Sequence, residues 1–149
     1  MPTVPHVPLT AFCQRILDGA GVRADHAELV ATMLVAGNLR GIDSHGVQLL
    51  TFYVDQMLGG DMNPTAEGVV VSEQGTSMVY DGQHGLGQVT ARHACRHASR
   101  LARELGMGLV TTRDTNHFGA AFWWAREMAR QGQIGIVMCN ASPLVPPWQ

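Results

Sequence analysis

The 149-residue sequence predicts a layered α/β domain that follows a helical N-terminal segment. Three observations lead there. Apolar residues recur at helical spacing through the first sixty positions. Short β-branched runs replace that pattern near Val69. From there the order reads β-β-α-β-α-β.

The elements follow in order. After Pro8 and Thr10, residues 11–21 read as a short helix that stops at Gly19 and Gly21. Residues 25–40 form a longer helix, with Val30, Met33, Leu34 and Gly37 on one buried stripe and Gly41 as its cap. A third helix begins near Ser44 or His45 and ends at Gly59-Gly60, with Leu49, Phe52, Tyr53 and Met57 as its apolar face. Residues 61–68 form a loop. VVVSE and SMVYDG flank EQGT as a hairpin. A long helix runs from about Leu86 to Leu105. Residues 106–114 are a buried strand, 118–131 a helix and 133–140 a last strand. The helical segment is residues 1–62 and the α/β part 63–149. The proline-rich exit ASPLVPPWQ suggests a longer protein, or a partner that covers a sheet edge.

Composition narrows the function. Ten Arg, no Lys and a net charge of −2 give no basic field for nucleic acid or an anionic membrane. Cys13, Cys95 and Cys139 are too few and too scattered for a disulfide framework, and fit free thiols in a reducing, cytoplasmic compartment. There is no secretory leader pattern and no apolar run of membrane-spanning length.

Four constellations could carry chemistry. Gly41-Ile42-Asp43-Ser44-His45-Gly46 sets a histidine at a helix start, with Asp43 or Ser44 as the cap. A helix start holds about half a positive charge, which favours a neutral imidazole and a bound anion. Asn116-His117-Phe118-Gly119-Ala120 repeats the arrangement at a strand-to-helix junction, where small residues admit a flat ring. Asp81-Gly82-Gln83-His84-Gly85-Leu86-Gly87-Gln88 lacks the dinucleotide fingerprint order and reads as a turn with close backbone packing. His93 and His97 share a helix face, but no third ligand is evident. Arg92, Arg96, Arg100 and Arg103 beside them would oppose a cation, so no metal is assigned. Phe122, Trp123 and Trp124 read as core or subunit-interface packing, or as a shield that keeps water from a site.

GIDSHGVQLLTFYV, DGQHGLGQ, NHFGAAFWWA and CNASPLVPPW, in that order, resemble the malate/L-lactate dehydrogenase family of NAD(P)-dependent oxidoreductases. The resemblance implies a non-Rossmann cofactor architecture of which this chain is the N-terminal part, a homodimer, and hydride exchange between NAD or NADP and a 2-hydroxy or 2-oxo acid such as malate or lactate. It places His117 as the base, with His45 beside it oriented by Ser44 or Asp43. His117, Phe118, Gly119, Ala120, Asn140 and Ser142 become cofactor or substrate contacts. Many members carry Arg four residues after the first of these histidines, as a carboxylate anchor; here the residue is Leu49. The helix starts at 45 and 118, or an Arg outside this chain, are then possible substitutes; otherwise the substrate differs or activity is lost. The competing expectation is a truncated or degenerate relative that only folds or assembles.

Overall fold

The computed structural model describes residues 3–141. Helix α1 (His6–Gly19) and helix α2 (Ala24–Asn38) pack together, followed by a 3-10 turn (Asp43–His45) and helix α3 (Leu49–Gly59). Strands β1 (Val69–Gln74) and β2 (Ser77–Gly85) form the expected hairpin. Helix α4 (Gly87–Leu105), strand β3 (Leu109–Thr115) and helix α5 (Ala121–Ala129) complete the order. The described sheet is β1-β2-β3, antiparallel at the hairpin and parallel across the α4 crossover. Sequence and structure agree on a mixed α/β domain.

Helix α2 buries Val30, Met33, Leu34 and Gly37 as its spacing requires, together with Ala27, Ala31, Val35 and Ala36. Cys13 and Leu17 of α1, Leu50, Tyr53 and Met57 of α3, and Leu86 and Val89 of the α4 entry join them in one core. The helical segment and the start of α4 thus share apolar contacts, and this brings the loop before α4 under α2 and α3. A smaller core of Met78, Tyr80 and Leu101 fastens α4 to the sheet.

Four expectations are corrected. Helix α1 starts at His6, because Pro8 is tolerated in a first turn whose N–H groups lack partners. Helix α3 starts at Leu49 rather than near 45, and its buried face is Leu50, Tyr53 and Met57, while Phe52 is exposed. Strand β3 is mostly exposed, being the edge strand of the described sheet. Residues 133–140 do alternate, with Ile134, Ile136 and Met138 outward, but they pair with no strand among the described residues. Alternation marks a chain that could join a ladder, and the ladder needs a neighbour.

His93 stacks on Tyr80 at a ring-centroid separation of 5.9 Å, and His97 meets the same ring tilted, at 5.7 Å, at the margin of the small core. The arginines beside them bind neighbours: Arg100 contacts Glu104 at 2.9 Å and Glu73 at 2.7 Å, and Arg103 donates to Gln131. Among the described residues, no group of three His, Cys, Asp or Glu side chains could hold a metal, and no helix is long and apolar enough to cross a membrane.

His26, His93, His97 and His117 are all held below the ordinary histidine pKa, in each case chiefly by burial. The unfolded chain therefore takes up these protons first as pH falls. Stability is complete above the unfolded histidine value of about 6.5 and declines below it, until the folded forms also titrate. Thermal midpoints measured from pH 8 to pH 5 should be level at the alkaline end and fall through the lower half. A midpoint that rises on acidification would contradict this sign.

Candidate active site

Two loops build the site. The first leaves α2 at Asn38. The side chain of Asn38 accepts the Val47 N–H at 2.8 Å and donates to Asp43 at 2.6 Å, so one amide clasps both ends of the 3-10 turn. Gly37 lets that turn lie on the helix, since a Cβ there would come within 2.7 Å of the His45 carbonyl oxygen. Asp43 therefore serves the loop, and Ser44 is the residue that touches His45, with Oγ 3.0 Å from Nδ1. Neither caps α3, whose first residue is Leu49. The expected helix-start setting of His45 is thus replaced by a side-chain-braced turn.

The second loop runs from β3 to α5. Asn116 donates to the carbonyls of His84 and Gly85 at 2.8 and 3.0 Å. Trp124 Nε1 donates to the Phe118 carbonyl at 3.0 Å and pins the far end. Gly87 lies against the backbone of Asn116 and His117, where a Cβ would collide with both carbonyls. The glycine-rich stretch before α4 is therefore a seat for the His117 loop, as close backbone packing predicts. Gln83 and His84 within it adopt left-handed φ values of 54° and 56°, which no spacing rule indicated.

The loops bring His45 and His117 together, with ring centroids 5.4 Å apart and planes inclined at 39°. His117 Nδ1 lies 2.7 Å from the Tyr53 hydroxyl, which accepts from Gln88 Nε2 at 2.8 Å. Both imidazoles thus have Nδ1 engaged, leaving Nε2 of each as the nitrogen without a described partner. His117 is held below its ordinary pKa, first by desolvation and then by the charge of His45. The sequence argument anticipated that direction but assigned it to a helix start; α5 begins only at Ala121.

A recess is lined by His45, but not by His117, together with Met33, Leu34, Gln88, Gly119, Ala120, Phe122 and Trp123. Its cavity volume of about 10 Å³ is the room of roughly one water. Phe118 contributes its carbonyl to the loop brace. Asn140 is exposed beyond α5, and Ser142 lies outside the described residues. The aromatic run divides in two: Trp124 is buried, while Phe122 and Trp123 border the recess, with Arg40 4.9 Å above Phe122 and Arg126 4.5 Å above Trp123. Sequence reasoning did not select Asn38, Tyr53 or Gln88 as site residues. Tyr53 was visible only as a core position, and Gln88 only as the end of the glycine motif.

Known proteins resemble the chain in sequence and in backbone. The malate dehydrogenase of Pyrococcus horikoshii is 40% identical over 144 residues, covering 97% of this chain and 40% of the relative. The L-sulfolactate dehydrogenase of Methanocaldococcus jannaschii is 34% identical over 133 residues, covering 89% and 39%. A 2,3-diketo-L-gulonate reductase of Escherichia coli is 33% identical over 142 residues, covering 94% and 42%. The solved malate dehydrogenase structure from P. horikoshii superposes with a TM-score of 0.85 at 37% identity, covering 88% of this chain and 38% of that one. The chain spans about two fifths of the length of these relatives. With the order of its motifs, its backbone and a family match from residue 4 to residue 149 all in accord, the chain belongs to the malate/L-lactate dehydrogenase family.

Proposed function

We propose that this chain carries the acid–base part of a hydride-transfer site, in an oxidoreductase that interconverts a 2-hydroxy acid and a 2-oxo acid with NAD or NADP. One observation carries the reading: two imidazoles from separate loops meet at 5.4 Å, each with Nδ1 already engaged, and one of them, His45, lines a recess. The lining fits one face of a nicotinamide. It is largely apolar, and at Gly119 (φ 81°) it lacks a side chain. Gln88 adds a buried amide oxygen with no partner. The cavity volume does not enclose a ring, so these residues serve as one wall of such a site.

When bound, a nicotinamide accepts the carbinol hydride in oxidation and returns it in reduction. The residues of this chain manage the proton. His117 Nε2 takes the substrate hydroxyl proton as the carbinol becomes a carbonyl, and gives it back in the reverse direction. Partial burial keeps His117 neutral near pH 7, so its basic form is the resting one. His45, braced by Ser44, hydrogen-bonds the developing carbonyl or relays the proton. Asp43 holds the turn through Asn38. Phe118, Gly119 and Ala120 present backbone and a small surface to the ring, and Asn140 extends the contact.

Leu49, half-buried against the helical core, cannot grip a carboxylate. The start of α5 has no side-chain cap and borders the recess through Ala120 and Phe122, which suits it to hold the substrate carboxylate. The same reading includes a homodimer in a reducing compartment, consistent with free thiols at Cys13, Cys95 and Cys139.

The test is an assay of the full-length protein with reduced nicotinamide and a panel of 2-oxo acids that includes oxaloacetate and pyruvate. Oxidation of the cofactor that depends on the 2-oxo acid is the expected result. No turnover with any of them, together with no nicotinamide binding, would favour a relative that only folds or assembles.

A further inference from the structure

Resting on the reading of the recess as one wall of a hydride-transfer site, we infer that Arg40 and Arg126 form a clamp for an anionic group, a carboxylate or a phosphate, at the rim of that recess. Two elements bring them to one ring. Arg126 lies on α5 and folds back over the preceding turn, with its guanidinium carbon 4.5 Å from the centroid of Trp123 and 6.0 Å from that of Phe122. Arg40 follows the end of α2 and sits 4.9 Å from the centroid of the same Phe122. Phe122 and Trp123 line the recess together with His45. Both guanidinium groups therefore stand beside the wall on which the site is built.

Their partners do not account for them. Among the described residues Arg40 forms no ion pair, and its side chain donates from Nη1 to the Ala36 carbonyl at 3.2 Å. Arg126 meets Glu127 at 3.7 Å, beyond hydrogen-bond length, while Glu127 is bonded to Arg130 at 3.0 Å. Arg126 Nε is buried without a partner. Burial, and then the charges of Arg130 and Arg40, hold the Arg126 guanidinium below the ordinary arginine value. Stacking occupies the faces of a guanidinium, whereas its N–H donors lie in the plane of the group and stay available. Two cations gathered at one ring repel, and an anion between them removes that cost. Carboxylate and phosphate oxygens match the guanidinium fork. An anion held there tethers its molecule by the charged end and leaves the reacting end to the imidazoles.

The experiment uses full-length protein and two readouts. Inorganic phosphate is titrated against the thermal midpoint, with ionic strength held constant by sodium chloride. It should raise the midpoint of wild type, and the rise should be absent in Arg40→Gln and in Arg126→Gln. Steady-state kinetics then identify the anion. A KM raised on the order of 10- to 100-fold for the 2-oxo acid, with the cofactor KM unmoved, marks the substrate carboxylate. The same rise for the nicotinamide cofactor alone marks one of its phosphates. In either case kcat should change less than KM, since a tether acts on ground state and transition state alike. Arg15→Gln removes a guanidinium stacked 6.0 Å from Phe12 on α1, and should leave the protection and both KM values as in wild type. Should Arg126→Gln unfold, Arg40→Gln, at an exposed position, carries the test. Protection that is absent in wild type or equal in both variants, or two unmoved KM values in active enzyme, would overturn the inference and leave both arginines as aromatic packing. A wild type without turnover would instead remove the hydride-transfer reading, and the phosphate titration would still decide the clamp.

Discussion

Replacing His117 by Ala lowers kcat by about 10²- to 10⁴-fold, the range for loss of a positioned acid–base group. The fold should persist. His117 is an exposed residue, and Tyr53 keeps its bond from Gln88. The pH dependence gives a second signature. In oxidation the neutral imidazole is the active form, and His117 is held below the ordinary value. The acid limb of kcat/KM in wild type therefore falls below about pH 6.5. In reduction the protonated form donates, so the rate declines as pH rises through the same lowered value. Both limbs should vanish in the variant. Steady-state rates from pH 5 to pH 9 in each direction, with circular dichroism as the folding control, decide the matter. If turnover survives and falls instead in His45→Ala, the two histidines exchange roles.

Gly87→Ala should be the most damaging small substitution outside the histidines. Ala is ordinarily favoured over Gly in a helix by about 1 kcal/mol. The sign reverses here because the added methyl meets the carbonyls of Asn116 and His117, and backbone cannot swing aside as a flexible side chain can. A loss of about 2–3 kcal/mol is expected from this overpacking. Relief can come only by displacing the His117 loop, so turnover should fall with stability. Gly19→Ala is the control. A Cβ there meets nothing within 4 Å, and a gain of about 0.5–1 kcal/mol should follow. Urea midpoints for the two variants should move in opposite directions.

Much of this was readable from residue patterns. The long helix before β3 lies within a residue of its expected bounds because Gly87 and Gly106 punctuate it and the amphipathic face between them is strong. The hairpin followed from two β-branched runs around Gly75. The two histidines were legible because each stands in a short loop beside small residues. What escaped was of another kind. Periodicity assigns Tyr53 to the core but does not reveal what its hydroxyl will meet, since that partner is distant in sequence. Asp43 and Ser44 offered equivalent caps on paper; Asn38 decided between them by claiming Asp43. For residues 133–140 the alternation was present, but a strand is a relation between two segments, and one segment's pattern does not supply the other.

The contact between Tyr53 and His117 joins positions 64 apart in the chain. Such a contact has to overcome the entropy of closing a long loop, and it is sustained only while α3, the α4 entry and the loop after β3 are all docked. Helical hydrogen bonds, by contrast, are local. Gentle warming should therefore silence the imidazole pair while far-ultraviolet ellipticity is still near its native value, making the cleft an early reporter of loosening throughout the domain.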